Sequence, residues 1–420
     1  MGVAQVSTPH GLIGHENTVS EFYGTFPYPW KPVYFDRMSD PDFHAALIRQ
    51  ETGRAGLGPI RRIWVAGCGT NQALITALQF PAAEVLGTDV SAESLAICRQ
   101  NAEQLGVTNL RLVQQGITQA GYDREFDLVV CTGVIHHNPE PRRCLERLSA
   151  AVRDDGVLEL MVYNRFHRRE AESFQAALRI LAPESEHGHR ERYALARSLA
   201  GSLQVESTMT KHLEDTRRSP EPAWADRWMN PCETSYDVDS LAGLARECGL
   251  LLEAPKVNGF DKMRRRFLWT TELTDPELLA PYERLDDLAR WQLVNLLHLD
   301  NSPMLWFYLR PDRAGTGTRV SDADRNRMFL DGVLDRPTAV RHRHVLDRDG
   351  AYHPDPNASE VASWPAWPEV KAIQEAADGR RTGREILTGL GYGTGFNAVQ
   401  RARVMLTTSE FPHLTVTPAG

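Results

Sequence analysis

Long apolar runs are missing from this sequence. No stretch approaches the roughly 20 residues that a membrane-spanning helix needs, and Met1 to Gln5 lack the charged-then-apolar opening of a signal segment. Cysteine is sparse. Cys68, Cys98, Cys131, Cys144, Cys232 and Cys248 are scattered, with no C-x-x-C pair and no zinc-ligand spacing, so neither a metal site nor a disulfide scaffold is expected. Several of them sit in apolar runs, where a thiol behaves as a small hydrophobe. These absences predict a reduced, cytoplasmic protein with no metal and no membrane partner. A basic excess is absent too: 47 Lys and Arg against 55 Asp and Glu leave a net charge of -8, the wrong sign for a nucleic-acid surface. The local run Arg264-Arg265-Arg266 reads as a solvated face. What remains is an ordinary globular composition, 42% hydrophobic and 24% charged over 420 residues, long enough for a main domain plus additions. No internal repeat is visible.

The segment up to about Asp40 crowds Phe22, Tyr23, Phe26, Tyr28, Trp30, Tyr34 and Phe35 among prolines. Proline fixes φ and forbids a long helix, so this is extended, turning chain with rings to bury. It reads either as a strap packed over the core or as a lid over a pocket. From Arg61 the rhythm becomes α/β. Ile63-Trp64-Val65-Ala66, Glu84 to Asp89, Leu110 to Val113, Phe126 to Cys131 and Gly156 to Tyr163 read as buried strands. A helix is expected over Ala73 to Phe80, and Ser91 caps the next one. Strands alternating with helices imply a parallel sheet covered on both faces. Arg165 to Met229 is charged and helical, an insertion at the ligand-facing edge of the sheet. Leu241 to Val257 resumes the pattern, and Met304 to Leu309 reads as the final strand. The polar stretch Asp312 to Asp324 reads as a linker, followed by helices at Pro368 to Ala377 and Phe396 to Leu406.

Val65-Ala66-Gly67-Cys68-Gly69-Thr70-Asn71-Gln72 joins the first strand of this series to its helix. Glycines there bring backbone amides close to a ligand at a helix N-terminus. Asp89 ends the next strand, where a carboxylate accepts hydrogen bonds from ribose hydroxyls. A dinucleotide fingerprint would place a third glycine at position 72, which is Gln72. Bulk at that point obstructs a pyrophosphate but not S-adenosylmethionine (SAM), which has no phosphate and offers a carboxylate, an ammonium and a ribose to Thr70, Asn71 and Gln72. SAM is therefore the expected cofactor, and an NAD(P)-dependent oxidoreductase is the competing reading.

The run Val65 to Ala73, then Gly87 to Leu95, then Phe126-Asp127 through Thr132-Gly133-Val134-Ile135-His136-His137 and Pro139, resembles class I SAM-dependent methyltransferases. It is similar in particular to bacterial methyltransferase domains found with tetratricopeptide repeats. The likeness continues through Leu160 to Tyr163, Asn230-Pro231 and Ser235-Tyr236, covering roughly residues 60 to 255. It implies a Rossmann-like sheet, a bacterial enzyme and a SAM site formed by Gly67, Cys68, Gly69, Asn71, Gln72, Asp89, Val90, Gly116, Ile117, Thr132 and Gly133. The chain departs from the family pattern at Asn71, usually glycine, and at Ile117, usually an acid that contacts adenine.

These readings give a lid at 1–58, a SAM-binding domain at 59–312 with its insertion at about 165–229, and a small α+β or winged-helix-like unit at 325–420. Candidate catalytic groups are His136, His137 and Tyr163. Histidine titrates near neutrality and could deprotonate an acceptor, while a local packing role for the pair is the competing reading. Tyr23, Tyr28, Tyr34 and Asn164 are candidate lid or substrate contacts. The expected reaction is methyl transfer to an N or O atom of a small-molecule or peptide-like metabolite, as in secondary metabolism. A SAM-binding regulatory partner without turnover is the other alternative.

Overall fold

The computed structural model describes residues 19–29, 31–54, 56–357, 359–360 and 365–418, so Trp30 and the first eighteen residues lie outside the description. Residues 19–25 form a short helix ahead of Pro27, where the sequence suggested extended chain. The chain then reaches a strand, β1 (Tyr34–Met38). The main sheet follows: β2 (Arg62–Ala66), β3 (Glu84–Asp89), β4 (Leu110–Gln114), β5 (Phe126–Thr132), β6 (Val152–Val162), β7 (Leu250–Pro255) and β8 (Leu305–Pro311).

Their spatial order is β4-β3-β2-β5-β6-β8-β7. All pairings among β2 to β6 are parallel. The last strand departs from the all-parallel expectation: β8 slips between β6 and β7 and runs antiparallel to both. A parallel return would need a crossover, whereas β8 comes back antiparallel beside β7 after helices at Pro276–Glu283 and Asp287–His298. The central strands are apolar without alternation because both faces are covered. Ile63, Trp64, Val65, Leu128, Val129, Leu158 and Leu160 are all buried. One face packs on Pro141–Ala151, Val238–Glu247 and Asp287–His298, and the other on Phe43–Thr52, Gln72–Gln79 and Ala92–Gln104. The expected cap forms, with Ser91 Oγ accepting from the Ser94 amide at 3.1 Å.

Four helices, Arg165–Leu181, His189–Ser202, Thr208–Asp215 and Glu221–Met229, make up the charged insertion. They are held by their own apolar cluster around Phe174, Trp224 and Trp228, which also buries Phe22 and Phe26. The region beyond Asp322 is joined to the rest at several places. Past the short strand β9 (Val333–Asp335), β1 pairs with β10 (Val340–Leu346), matching Tyr34 to Val345. Val257 and Phe267 enter its apolar cluster. At a buried charge cluster, Asp322 accepts from Trp291 Nε1 at 3.0 Å, from Arg325 at 2.9 Å and from Arg403 at 3.0 Å. The Asp322 amide in turn donates to Asp287 at 2.8 Å. Among the described residues no helix is long and apolar enough to cross a membrane.

Candidate active site

The glycine loop leaves β2 at Ala66, and the Gly67 and Cys68 amides both donate to the Thr88 carbonyl, at 2.8 and 2.9 Å. Gly67 and Gly69 take φ of 68° and 52°, the left-handed region that side chains avoid. A Cβ on Gly67 would lie 2.5 Å from the Val134 methyls, and one on Gly69 would lie 2.8 Å from the Tyr28 carbonyl oxygen. Glycine at these points thus makes room for neighbouring protein, a different reason from the ligand clearance inferred from sequence. Asp89 closes the turn, its two oxygens accepting from the Gly69 amide at 2.8 Å and the Ser91 amide at 2.9 Å. Burial raises its pKa, and those backbone donors pull it back.

A cavity of about 850 Å³ opens along the C-terminal ends of the strands. Gly67, Cys68, Gly69, Gln72, Asp89, Val90, Gly116, Ile117, Thr132 and Gly133 line it. Asn71 does not; it is buried at the head of the helix Gln72–Gln79. Where the family pattern has an acid, the wall carries Ile117 and, beside it, Gln115, whose Oε1 accepts from the Tyr122 hydroxyl at 2.8 Å. The N-terminal segment roofs this end. Thr70 donates to the Pro29 carbonyl at 2.7 Å, and Ser20 donates to the Val90 carbonyl.

The donor set, a glycine-lined cradle with a carboxylate at its edge and no built pyrophosphate site, fits the nucleoside and amino-acid ends of SAM. Residues 66–206 match the family described as a methyltransferase domain. The chain contains a class I SAM-dependent methyltransferase domain. An uncharacterised protein of Synechococcus sp. is 27% identical over 294 residues, covering 67% of this chain and 68% of that one. A ubiquinone biosynthesis O-methyltransferase of Actinobacillus pleuropneumoniae is 29% identical over 111 residues, or 25% of this chain. The match spans 47% of that relative, about half its length. The structure of PKMT2 from Rickettsia typhi in complex with AdoHcy has a TM-score of 0.56 at 13% identity, covering 93% of this chain and 78% of that one. That likeness in fold extends over the C-terminal region as well as the methyltransferase domain.

At the other end of the cavity the methyltransferase domain meets the insertion. Asp226, from the helix Glu221–Met229, is buried and accepts from the Tyr23 hydroxyl at 2.8 Å and the Tyr163 hydroxyl at 3.0 Å. Asn230 donates to Tyr23 at 3.0 Å and to Asp226 at 3.3 Å. Burial, with the Asp226 charge, pushes both tyrosines up, so they remain neutral donors. Arg168 stacks 4.1 Å from the centre of the Tyr163 ring and is fixed by two 2.6 Å bonds to Glu233.

The histidine pair separates. His137 Nδ1 donates to the Cys232 carbonyl at 2.9 Å, which leaves Nε2 facing Asp226 Oδ1 at 3.7 Å on the cavity wall. His136 is fully buried, does not line the cavity and stacks on Tyr163 with ring centres 3.8 Å apart. Burial pulls its pKa well below the ordinary value, and it packs as a neutral ring away from the cavity.

Of the lid residues, Tyr23 and Tyr28 reach the cavity. Tyr34 does not; it lies in β1 under the Arg343 guanidinium, 3.8 Å from its ring centre, because strand pairing with β10 turns it away. Asn164 lines the wall but is spent structurally. It caps the helix Arg165–Leu181 and donates to Ser302 and the Pro303 carbonyl. The arginine run is only partly a solvated face, since Arg264 and Arg266 border the cavity while Arg265 stacks on Trp367. Sequence reasoning passed over Asp226 and Arg227. Their signal was two charges set inside Trp224-Ala225-Asp226-Arg227-Trp228-Met229, a placement that burial tolerates only when the charges are used or paired.

Proposed function

We propose that the protein transfers a methyl group from SAM to an N or O atom of a small-molecule or peptide-like acceptor bound beside Asp226. The reading rests on one observation: a single cavity connects the glycine loop and Asp89 to the cluster of Tyr23, His137, Tyr163 and Asp226. Its volume sits high in the roughly 300–1,000 Å³ range of small-molecule sites, enough for a cofactor and a modest acceptor together. The Gly67–Gly69 backbone, Asp89, Gln115 and Ile117 would hold the cofactor, which supplies an electrophilic methyl group on a sulfonium.

The chain's own residues supply position and a proton acceptor. His137 has one nitrogen tied to the Cys232 carbonyl, so the tautomer is set and Nε2 presents a lone pair to the cavity. Asp226 lies 3.7 Å away and stabilises the imidazolium formed when Nε2 takes the acceptor's proton. Tyr23 and Tyr163 hold both Asp226 oxygens, which keeps the carboxylate pointed at the histidine. Tyr23 also makes closure of the N-terminal segment part of the same network, so water is excluded as the cluster assembles.

The test incubates the full chain with methyl-labelled SAM and a panel of amine and hydroxyl acceptors, reading label transfer and S-adenosylhomocysteine (SAH) release. His137→Gln should cut turnover about 10²–10⁴-fold, the usual contribution of a general base, while SAH affinity stays within about twofold. Full activity in His137→Gln removes the base assignment. A wild-type chain that fails to bind SAH removes the whole reading.

A further inference from the structure

Arg227 is a half-buried cation in the cavity wall that the methyl-transfer scheme leaves without a task. It follows Asp226 on the helix Glu221–Met229, and its guanidinium lines the cavity. Its Nε is buried without a hydrogen-bond partner, and no carboxylate among the described residues pairs with it. The neighbouring charges do not compensate. Arg168 and Arg264 repel it, and Glu233 is already engaged by Arg168 in two 2.6 Å bonds. Asp215 and Asp300 also border the cavity, yet neither forms an ion pair with Arg227. What steadies Arg227 is the Trp228 ring, 5.5 Å away. Burial and the two arginines bring its pKa down to about 10, still charged at neutral pH.

A guanidinium drawn partly out of water without a counter-charge is destabilising unless something completes it. Its planar fork matches an oxyanion in two parallel bonds. Arg264 and Arg266 border the same cavity, and the Arg266 guanidinium is anchored to the Asp300 carbonyl at 2.7 Å. A chain with a net charge of -8 thus places Arg168, Arg227, Arg264 and Arg266 along the wall of this cavity, and among the described residues Arg168 alone of the four is paired with a carboxylate. Taking the methyl-transfer reading as its basis, we propose that the acceptor carries an oxyanion, a carboxylate or a phosphate monoester, received by Arg227 with help from Arg264. Its nucleophile would then be held at His137 and Asp226. The acid is thus a recognition handle set apart from the atom that is methylated.

The test titrates the full chain calorimetrically with inorganic phosphate and, separately, with malonate, each with and without saturating SAH. At least one anion should bind wild type, and which binds more tightly tells phosphate from carboxylate. Arg227→Gln should weaken that binding tenfold or more, and Arg227→Lys, which keeps the charge but loses the fork, should recover part of it. Arg264→Gln, at an exposed position, should weaken it severalfold with no change in melting temperature, which preserves the test should the Arg227 variants fold poorly. SAH affinity should stay within twofold throughout. The proposal is overturned if neither anion binds wild type, or if all three variants bind as wild type does. It is equally overturned if Arg227→Gln loses SAH, since Arg227 would then serve the cofactor's own carboxylate. Anion binding in the absence of SAH reads this inference alone, whereas wild type that ignores SAH defeats only the methyl-transfer reading.

Discussion

Replacing Gly69 by alanine tests how tightly the N-terminal segment and the cofactor loop are coupled. Gly69 has φ of 52°, where a side chain costs about 1–2 kcal/mol. Its new Cβ would meet the Tyr28 carbonyl oxygen at 2.8 Å and Pro29 Cδ at 3.2 Å. Both distances are inside ordinary contact, and backbone cannot rotate away as a side chain can. Relief requires the Tyr28–Pro29 stretch to lift, which breaks the 2.7 Å bond from Thr70 to the Pro29 carbonyl, a further roughly 0.5–1.5 kcal/mol. We expect a total near 2–3 kcal/mol, with roughly 1–2 kcal/mol appearing as a 5–30-fold loss of SAH affinity. Gly67→Ala is the control. Its backbone strain is similar, but its Cβ meets the Val134 side chain and leaves the segment in place. Calorimetry gives the affinity, and hydrogen exchange at residues 22–28 reports lifting. If Gly69→Ala binds SAH as wild type does and exchange at 22–28 is unchanged, the roof is not seated on the loop and the reasoning fails.

Asp89→Ala should weaken SAH by about 1.5–3 kcal/mol, and should also lower the melting temperature because the Gly69 and Ser91 amides lose their acceptor; a variant with unchanged SAH affinity would place the ribose elsewhere. Asp261, buried beneath the Met304 amide, is pushed by burial from its ordinary 3.8 up to about 7. The folded state then holds a proton that the unfolded state has released, so stability falls as pH rises from about 4 to about 7, by roughly 4 kcal/mol. Asp261→Asn should flatten that slope and gain stability over wild type at pH 8, and denaturation at pH 5 and pH 8 checks both. Ending the chain at Asp312 should abolish a cooperative melt, since Asp287 would lose its Asp322 and Arg325 partners and Val257 and Phe267 their cover. A truncated chain that still melts cooperatively and binds SAH would make the C-terminal region a true separate domain.

What the sequence made legible was local. Gly67, Gly69 and Asp89 announce themselves because a strand, a tight turn and a terminal acid are fixed by residues close along the chain. Asp226 was not legible, since its value comes from Tyr23 and Tyr163, which reach it from two other regions. Adjacency misled at His136 and His137, where one step along a tight turn takes a ring from the wall into the packing beneath it. Tyr34 looked like its neighbours in an aromatic segment, but pairing with a strand some 300 residues away, register included, leaves no trace in local composition. The antiparallel β8 escaped for the same reason: its apolar run says buried strand and nothing of direction.

The pairing of β1 with β10 also sets a schedule for synthesis. Tyr34 leaves the ribosome some 300 residues ahead of Val345, its partner. At roughly 5–20 residues per second, the strand that anchors the roof waits about 15–60 s for its mate, while Phe35, whose ring packs on Tyr352, stays without its final cover. The glycine loop and the strands around it can form meanwhile. A nascent chain could thus acquire its cofactor cradle well before the cavity above it is closed, and the interval between the two is when a chaperone would have something to hold.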